Sequence, residues 1–318
     1  MTPRALVTTI VALAAVALPY VAYADGPPTG YMVDGGITAG SIRYAALPAG
    51  HGTLIEKLAL NGGRPLRFHY VGAPAGVPMV AMDGTAGGLS HDASTLVLGR
   101  PRDAYPERHS TLYVLNARHL NVRRRISLGG DFSFDAISPD GRTIYLTQLS
   151  RRSFTHYSIR AFDTKTWQLL PKPIVDREEP DEAMAGLPFT RVTSPDGRFD
   201  YTLYVGGDKP FVHALDTVGR SAKCIDLPPI PDGATTKLHL SGRRLTVFAD
   251  GAPVAVVDTA TRKVSKPAPA RPVPLREQAG NNGGGSNTGT WLAIAGAAAA
   301  LAATAALGAR RRRTRRTA

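Results

Sequence analysis

The chain has 318 residues, 43% of them hydrophobic, and a formal net charge of +13. One cysteine, Cys224, excludes an intrachain disulfide framework. Six of the positive charges form a single run near the end and no binding motif accompanies the others, so the basic balance does not indicate a nucleic-acid partner.

The first residues read as an export signal. Arg4 precedes an apolar core over 5–18, and Ala22-Tyr23-Ala24 forms a small-x-small cleavage site before Asp25. Residues 1–24 are therefore expected to be a signal peptide. Residues 25–40 are glycine-rich, with Tyr31-Met32-Val33 as a short strand. Strands are predicted at 41–47, 53–60 and 66–71, with Asn61-Gly62-Gly63 as a hairpin turn. These three are expected to be completed by a strand from the other end of the chain.

Two clear repeats follow. Ser138-Pro139-Asp140-Gly141-Arg142 leads into Thr143-Ile144-Tyr145-Leu146 and on to Phe162-Asp163-Thr164. Ser194-Pro195-Asp196-Gly197-Arg198 leads into Tyr201-Thr202-Leu203-Tyr204 and on to Leu215-Asp216-Thr217. Weaker copies begin at Ser90-His91-Asp92-Ala93 and at His239-Leu240-Ser241-Gly242-Arg243, closing on Leu115-Asn116-Ala117 and Val257-Asp258-Thr259. Pro presets φ, Asp accepts a backbone N–H two residues on, and Gly takes positive φ without a Cβ clash. The Asp of Asp-Thr is expected to accept backbone N–H bonds in a second turn. The spacing of the starts is near the ~40–45 residues of a four-stranded unit, and the longest interval holds an insertion at 176–187.

These units resemble the YVTN-type β-propeller repeats of secreted bacterial proteins and are similar to WD40-like Pro-Asp repeats, over residues 78–265. The resemblance implies an all-β propeller; length and spacing suggest five four-stranded blades, with six as the alternative. It implies no catalytic set, because such propellers include binders, scaffolds and enzymes.

Two groups of residues could carry chemistry. Three positions before each repeat start stand Gly87, Asp135, Arg191 and Thr236, which the register places at one level of a central channel. Asp135 and Arg191 would form a salt bridge or line a polar ligand pocket, with Lys237 and His239 near the same rim. The second group is the run Asp176, Glu178, Glu179, Asp181 and Glu182, whose carboxylates could hold a hard cation such as Ca²⁺ although the spacing fits no EF-hand and Arg177 competes. Arg123-Arg124-Arg125 reads as a solvated outer strand, and Cys224 as an inert thiol on another. No HExxH, paired CxxC, GxSxG or P-loop occurs, and no cofactor is implied.

Beyond residue 265 the composition changes. Residues 25–268 are expected to form the ectodomain and 269–290, rich in Pro, Gly and Asn, a stalk. Residues 291–309 are uncharged, long enough to cross a bilayer, and followed by Arg310, Arg311, Arg312, Arg313, Arg315 and Arg316. A single span with residues 310–318 in the cytoplasm is predicted. Thr288-Gly289 before the span also resembles part of a cell-wall sorting signal, although Gly285-Ser286 stands where Leu-Pro belongs. The expected function is a membrane-tethered binding or scaffold propeller for an extracytoplasmic protein or cell-envelope glycan. The alternative is a metal-dependent propeller hydrolase of lactonase type, with channel carboxylates such as Asp135 as ligands.

Overall fold

A computed structural model describes residues 36–180, 184–207, 209–231 and 233–267. The predicted signal peptide, stalk, span and basic tail lie outside the described residues, as do Tyr31-Met32-Val33, Asp181 and Glu182. Among the described residues no helix is long and apolar enough to cross a membrane.

Among the described residues, nineteen strands form five antiparallel meander sheets. The first contains β1 (Ile37–Ala39), β2 (Ile42–Ala49), β3 (Gly52–Ala59) and β4 (Pro65–Val71). The second contains β5 (Thr95–Gly99), β6 (His109–Asn116) and β7 (Val122–Gly129). The third runs through β8 (Phe132–Ile137), β9 (Thr143–Leu149), β10 (Tyr157–Asp163) and β11 (Gln168–Ile174). The fourth runs through β12 (Leu187–Thr193), β13 (Phe199–Val205), β14 (Phe211–Asp216) and β15 (Ser221–Asp226). The fifth has β16 (Thr236–Ser241), β17 (Arg244–Ala249), β18 (Ala252–Asp258) and the short β19 (Val264–Ser265).

Four sheets are thus four-stranded, and the second has three named strands. Its inner position is held by two isolated bridges to β5, Leu89 to Leu96 and Gly76 to Gly99. Gly88, at φ +102°, lets the backbone pass there; a Cβ would lie 2.4 Å from the Val97 carbonyl oxygen. The first sheet corrects an expectation. Its fourth strand is β1, immediately upstream, because the tight turn at Gly40 (φ +56°) folds Ile37–Ala39 back on β2. Among the described residues no strand from the far end of the chain joins it.

Middle strands are buried on both faces, which is the mark of sheets stacked face to face. In β9, Ile144, Tyr145 and Leu146 are all fully buried. Each such side chain contributes roughly 1.5–3 kcal/mol of burial free energy. Four hydrophobic clusters fill the four interfaces between successive sheets, around Ile55 and Leu96, Val114 and Phe134, Ile159 and Tyr204, and Leu203 and Val247. Among the described residues no such cluster joins the first sheet to the fifth. The successive stacking of small meanders, inner strands toward a shared cavity, is a β-propeller arrangement.

The repeat motif supplies the joints. Ser138 Oγ donates to Asp140 Oδ1 at 2.7 Å, while Ser138 Oγ itself accepts from Thr143 N at 2.9 Å. The same bonds recur from Ser194 to Asp196 and from Ser90 to Asp92. Gly141 and Gly197 take φ +71° and +70°; in the weaker copy Ala93 is forced to +51°. In the second turn Asp163 Oδ1 accepts from Lys165 N and Thr166 N at 2.7 and 2.9 Å, as expected. Asn116, Asp216 and Asp258 repeat that pair of bonds. Thr164, Thr217 and Thr259 then bind the carbonyls of Arg142, Arg198 and Arg243, tying the two turns of each sheet together. Tyr145 OH reaches the Thr217 carbonyl at 2.8 Å, linking the third sheet to the fourth.

Candidate functional site

A cavity of about 370 Å³ lies where inner strands converge. It is bounded by β1, by residues 85–91, by β8 and by β12. Gly87, Asp135 and Arg191 line it together, as their register implies. Thr236 does not line it, and neither do Lys237 or His239. The reason is local. The loop between β16 and β17 has two residues, Gly242 and Arg243, whereas the Pro-Asp-Gly loops are longer. Arg243 still matches Arg198, but the strand before it slides, so Leu238 rather than Thr236 occupies the row of Arg191. Lys237 and His239 stay exposed on β16.

Arg191 anchors the cavity wall. Its guanidinium is buried, forms a salt bridge with Asp135 Oδ1, donates to the Asp135 carbonyl, and donates from Nε to Thr202 Oγ1 at 2.8 Å. Asp135 sits at an irregularity in the β8–β9 register, between Phe134 and Ala136, which turns it toward the next sheet. Burial opposes the charge on Arg191, but the carboxylates of Asp135 and Asp200 outweigh it and hold its pKa above the usual arginine range. Asp200 is also buried and accepts from Thr193 Oγ1 at 2.5 Å; burial raises its pKa. Behind this wall, His213 lies in the same cross-strand row as Arg191 and Thr202. Burial lowers its pKa to about 4, so it is neutral at pH 7. Asp135 Oδ2 and His213 Nε2 have no hydrogen-bond partner in the protein.

The channel is pinched at both ends of β12. A hairpin over residues 79–86 carries Met82 and Asp83 across it, where their N–H groups donate to the carbonyls of Pro188 and Phe189 at 2.8 and 3.1 Å. At the other end the turns meet: Asp92 N donates to the Pro139 carbonyl, and His91 packs on Gly197. Neither the hairpin nor Asp200 is among the residues the sequence singles out. Asp83-Gly84 between apolar residues was the available turn signal.

The acidic loop has a different character. Asp176 is buried and binds Lys223 at 2.7 Å while accepting from Glu178 N and Cys224 N. Burial works against its charge, yet the bond from Lys223 prevails and its pKa is lowered. Glu178 pairs with Lys223 at 2.6 Å and Arg262 at 3.0 Å. Glu179 is exposed and donates its N–H to the Asp176 carbonyl. Lys223 and Arg262 thus pair with two of the five carboxylates, Asp176 and Glu178; among the described residues, which leave out Asp181 and Glu182, no three His, Cys, Asp or Glu side chains are grouped to hold a metal ion. Cys224 is half-buried on β15.

No family model matches the chain, and no curated protein matches it. It is similar to solved structures at low identity. Hydrazine synthase from Kuenenia stuttgartiensis is 14% identical, with a TM-score of 0.45, over 76% of this chain and 66% of that one. The β-propeller domain of Cps50 (Swd1) from Myceliophteria thermophila is 11% identical, with a TM-score of 0.40, over 70% and 64%. BamB from Moraxella catarrhalis is 14% identical, with a TM-score of 0.39, over 70% and 63%. The chain spans just under two thirds of the length of each. The fold assignment rests on the sheets themselves.

Proposed function

We propose that this protein is an extracytoplasmic β-propeller that acts as a binding or scaffold module, tethered to the membrane by residues 291–309, with an envelope protein or glycan as partner. The observation that carries it is the pinched channel: its acid and base are spent on each other, and a hairpin crosses it. Such an interior holds the frame rigid and leaves recognition to the outer surface. The apolar stretch and the arginine run after it support the tether and its orientation. A hydrolase reading would need a metal to displace Arg191 from Asp135 and to find further ligands.

The test uses cells making the full chain. Fractionation and external protease should show a membrane-bound protein whose propeller is cleaved from outside. A photo-crosslinking residue at Lys237 or His239, both exposed on β16, should capture an envelope component. Recovery in the soluble cytoplasm would refute the tether. Metal-stimulated lactone hydrolysis lost in Asp135→Asn would overturn the scaffold reading in favour of the enzyme.

A further inference from the structure

Outer strands expose unpaired backbone, and proteins protect such edges with charge, proline, short length or cover. Four of the five sheets do so strongly here. β7 presents Arg123, Arg124 and Arg125, all exposed. β11 carries Pro171, Lys172 and Pro173. β15 is covered by the acidic loop, with Asp176 bridged to Ala222 and bound to Lys223. β19 has two residues.

β4 is the least protected, with one exposed cation, Arg67, which points to the face opposite Phe68. It is seven residues long, ends its sheet, and has proline only at its first position. Leu66, Phe68 and Tyr70 alternate along it, so they share one face, and they are 39%, 71% and 52% exposed. The row continues inward through Leu54, opposite Tyr70, to Leu47, which is 40% exposed.

We propose that β4 is a self-association edge, on which two copies of this chain pair β4 with β4 in antiparallel register. Two features favour a second copy as the occupant. An antiparallel pair of identical strands is symmetric about a twofold axis, so one edge satisfies both copies in a closed dimer. With the axis at Phe68, Phe68 faces Phe68 of the partner copy, and Leu66 and Tyr70 face each other across it. The second feature is area. The exposed parts of Leu47, Leu66, Phe68 and Tyr70 amount to roughly 400 Å² of apolar surface per copy, about half of what a standard interface buries on each side. The unpaired backbone of β4 and the exposed Leu60 extend it. The inference is independent of the membrane tether.

The test uses the full chain in detergent. In a Cys224→Ala background, Phe68→Cys should give a disulfide-linked dimer under mild oxidation, whereas Lys172→Cys on β11 should not. Light scattering should show a dimer for the unmodified chain, with Phe68→Asp weakening association at least tenfold while the far-ultraviolet spectrum is unchanged. A dimer of equal strength in Phe68→Asp would overturn the proposal, because association would then lie elsewhere. So would a monomer whose introduced thiol at position 68 reacts freely with a maleimide. A monomer whose thiol there is shielded would also overturn it, and would assign the face to another segment of the same chain. A photo-crosslinker at position 68 that captures a different protein would overturn it in favour of a heterologous partner.

Discussion

Removing one member of the buried Asp135–Arg191 pair should cost far more than removing both. Arg191 spends its donors on the Asp135 carboxylate, the Asp135 carbonyl and Thr202, all away from water. In Asp135→Asn the guanidinium keeps its charge and loses its counter-ion, with Asp200 the nearest remaining carboxylate influence. Breaking a buried pair in this way costs about 3–5 kcal/mol, whereas replacing both partners with neutral groups of similar volume is often close to neutral. Arg191→Met should likewise leave Asp135 uncompensated. The double variant should therefore be no less stable than either single, and should recover at least about 3 kcal/mol relative to the sum of the singles. Urea unfolding of wild type, both singles and the double supplies the four corners of the cycle. Additivity within about 0.5 kcal/mol would show that the pair is not coupled and would refute its role as the joint between the third and fourth sheets.

Other outcomes follow from the turns and the buried histidine. Ala93→Gly should stabilise the protein by about 0.5–1 kcal/mol, because it relieves a left-handed alanine in the turn where the stronger repeats use glycine; unchanged urea midpoints would contradict this. Asp163→Ala should destabilise by about 1–2 kcal/mol through two orphaned N–H groups, while Asp163→Asn, which copies Asn116, should cost much less. Equal losses in the two variants, measured by urea unfolding, would contradict the turn's account. His213 has a folded pKa near 4, below its unfolded value, so the unfolded chain protonates first as pH falls. Stability should drop by up to about 3 kcal/mol between about pH 6.5 and 4. Asp200, whose pKa is raised, adds stability at low pH that is lost as pH rises through its folded value, so it opposes the His213 trend. The slope is best read as wild type against His213→Gln in pH-dependent urea melts, and identical slopes would reject the assignment.

Turn chemistry was legible before any coordinates because it is local. Ser-Pro-Asp-Gly and Asp-Thr announce their own bonds within a few residues, and every such turn forms as its residues dictate. The Asp135–Arg191 contact was also legible, since two strong repeats fixed their register. What escaped was whatever depended on loop length or distant pairing. The last repeat shortens its turn to two residues, which slides Thr236 out of the row and leaves Lys237 and His239 outside the cavity. The first sheet takes its fourth strand from upstream because Gly40 permits a tight return; the sequence supplied that glycine but not the choice between two competing strands. Asp200 was hidden because a strand aspartate looks solvent-facing until its row mate Thr193, and Arg191 two residues before Thr193 on the same strand, are seen.

The hairpin over 79–86 also sets an order of events during folding. Its bonds to Pro188 and Phe189 join positions roughly a hundred residues apart, while each sheet is a meander that can form from neighbours in the chain. The hairpin must wait for the fourth sheet before Met82 and Asp83 find their acceptors. Until then the second and third sheets lack their crossing strut, and the half-built propeller is most open to proteolysis. The late step is thus a latch, thrown by a segment that emerges early and is satisfied only after most of the propeller has formed.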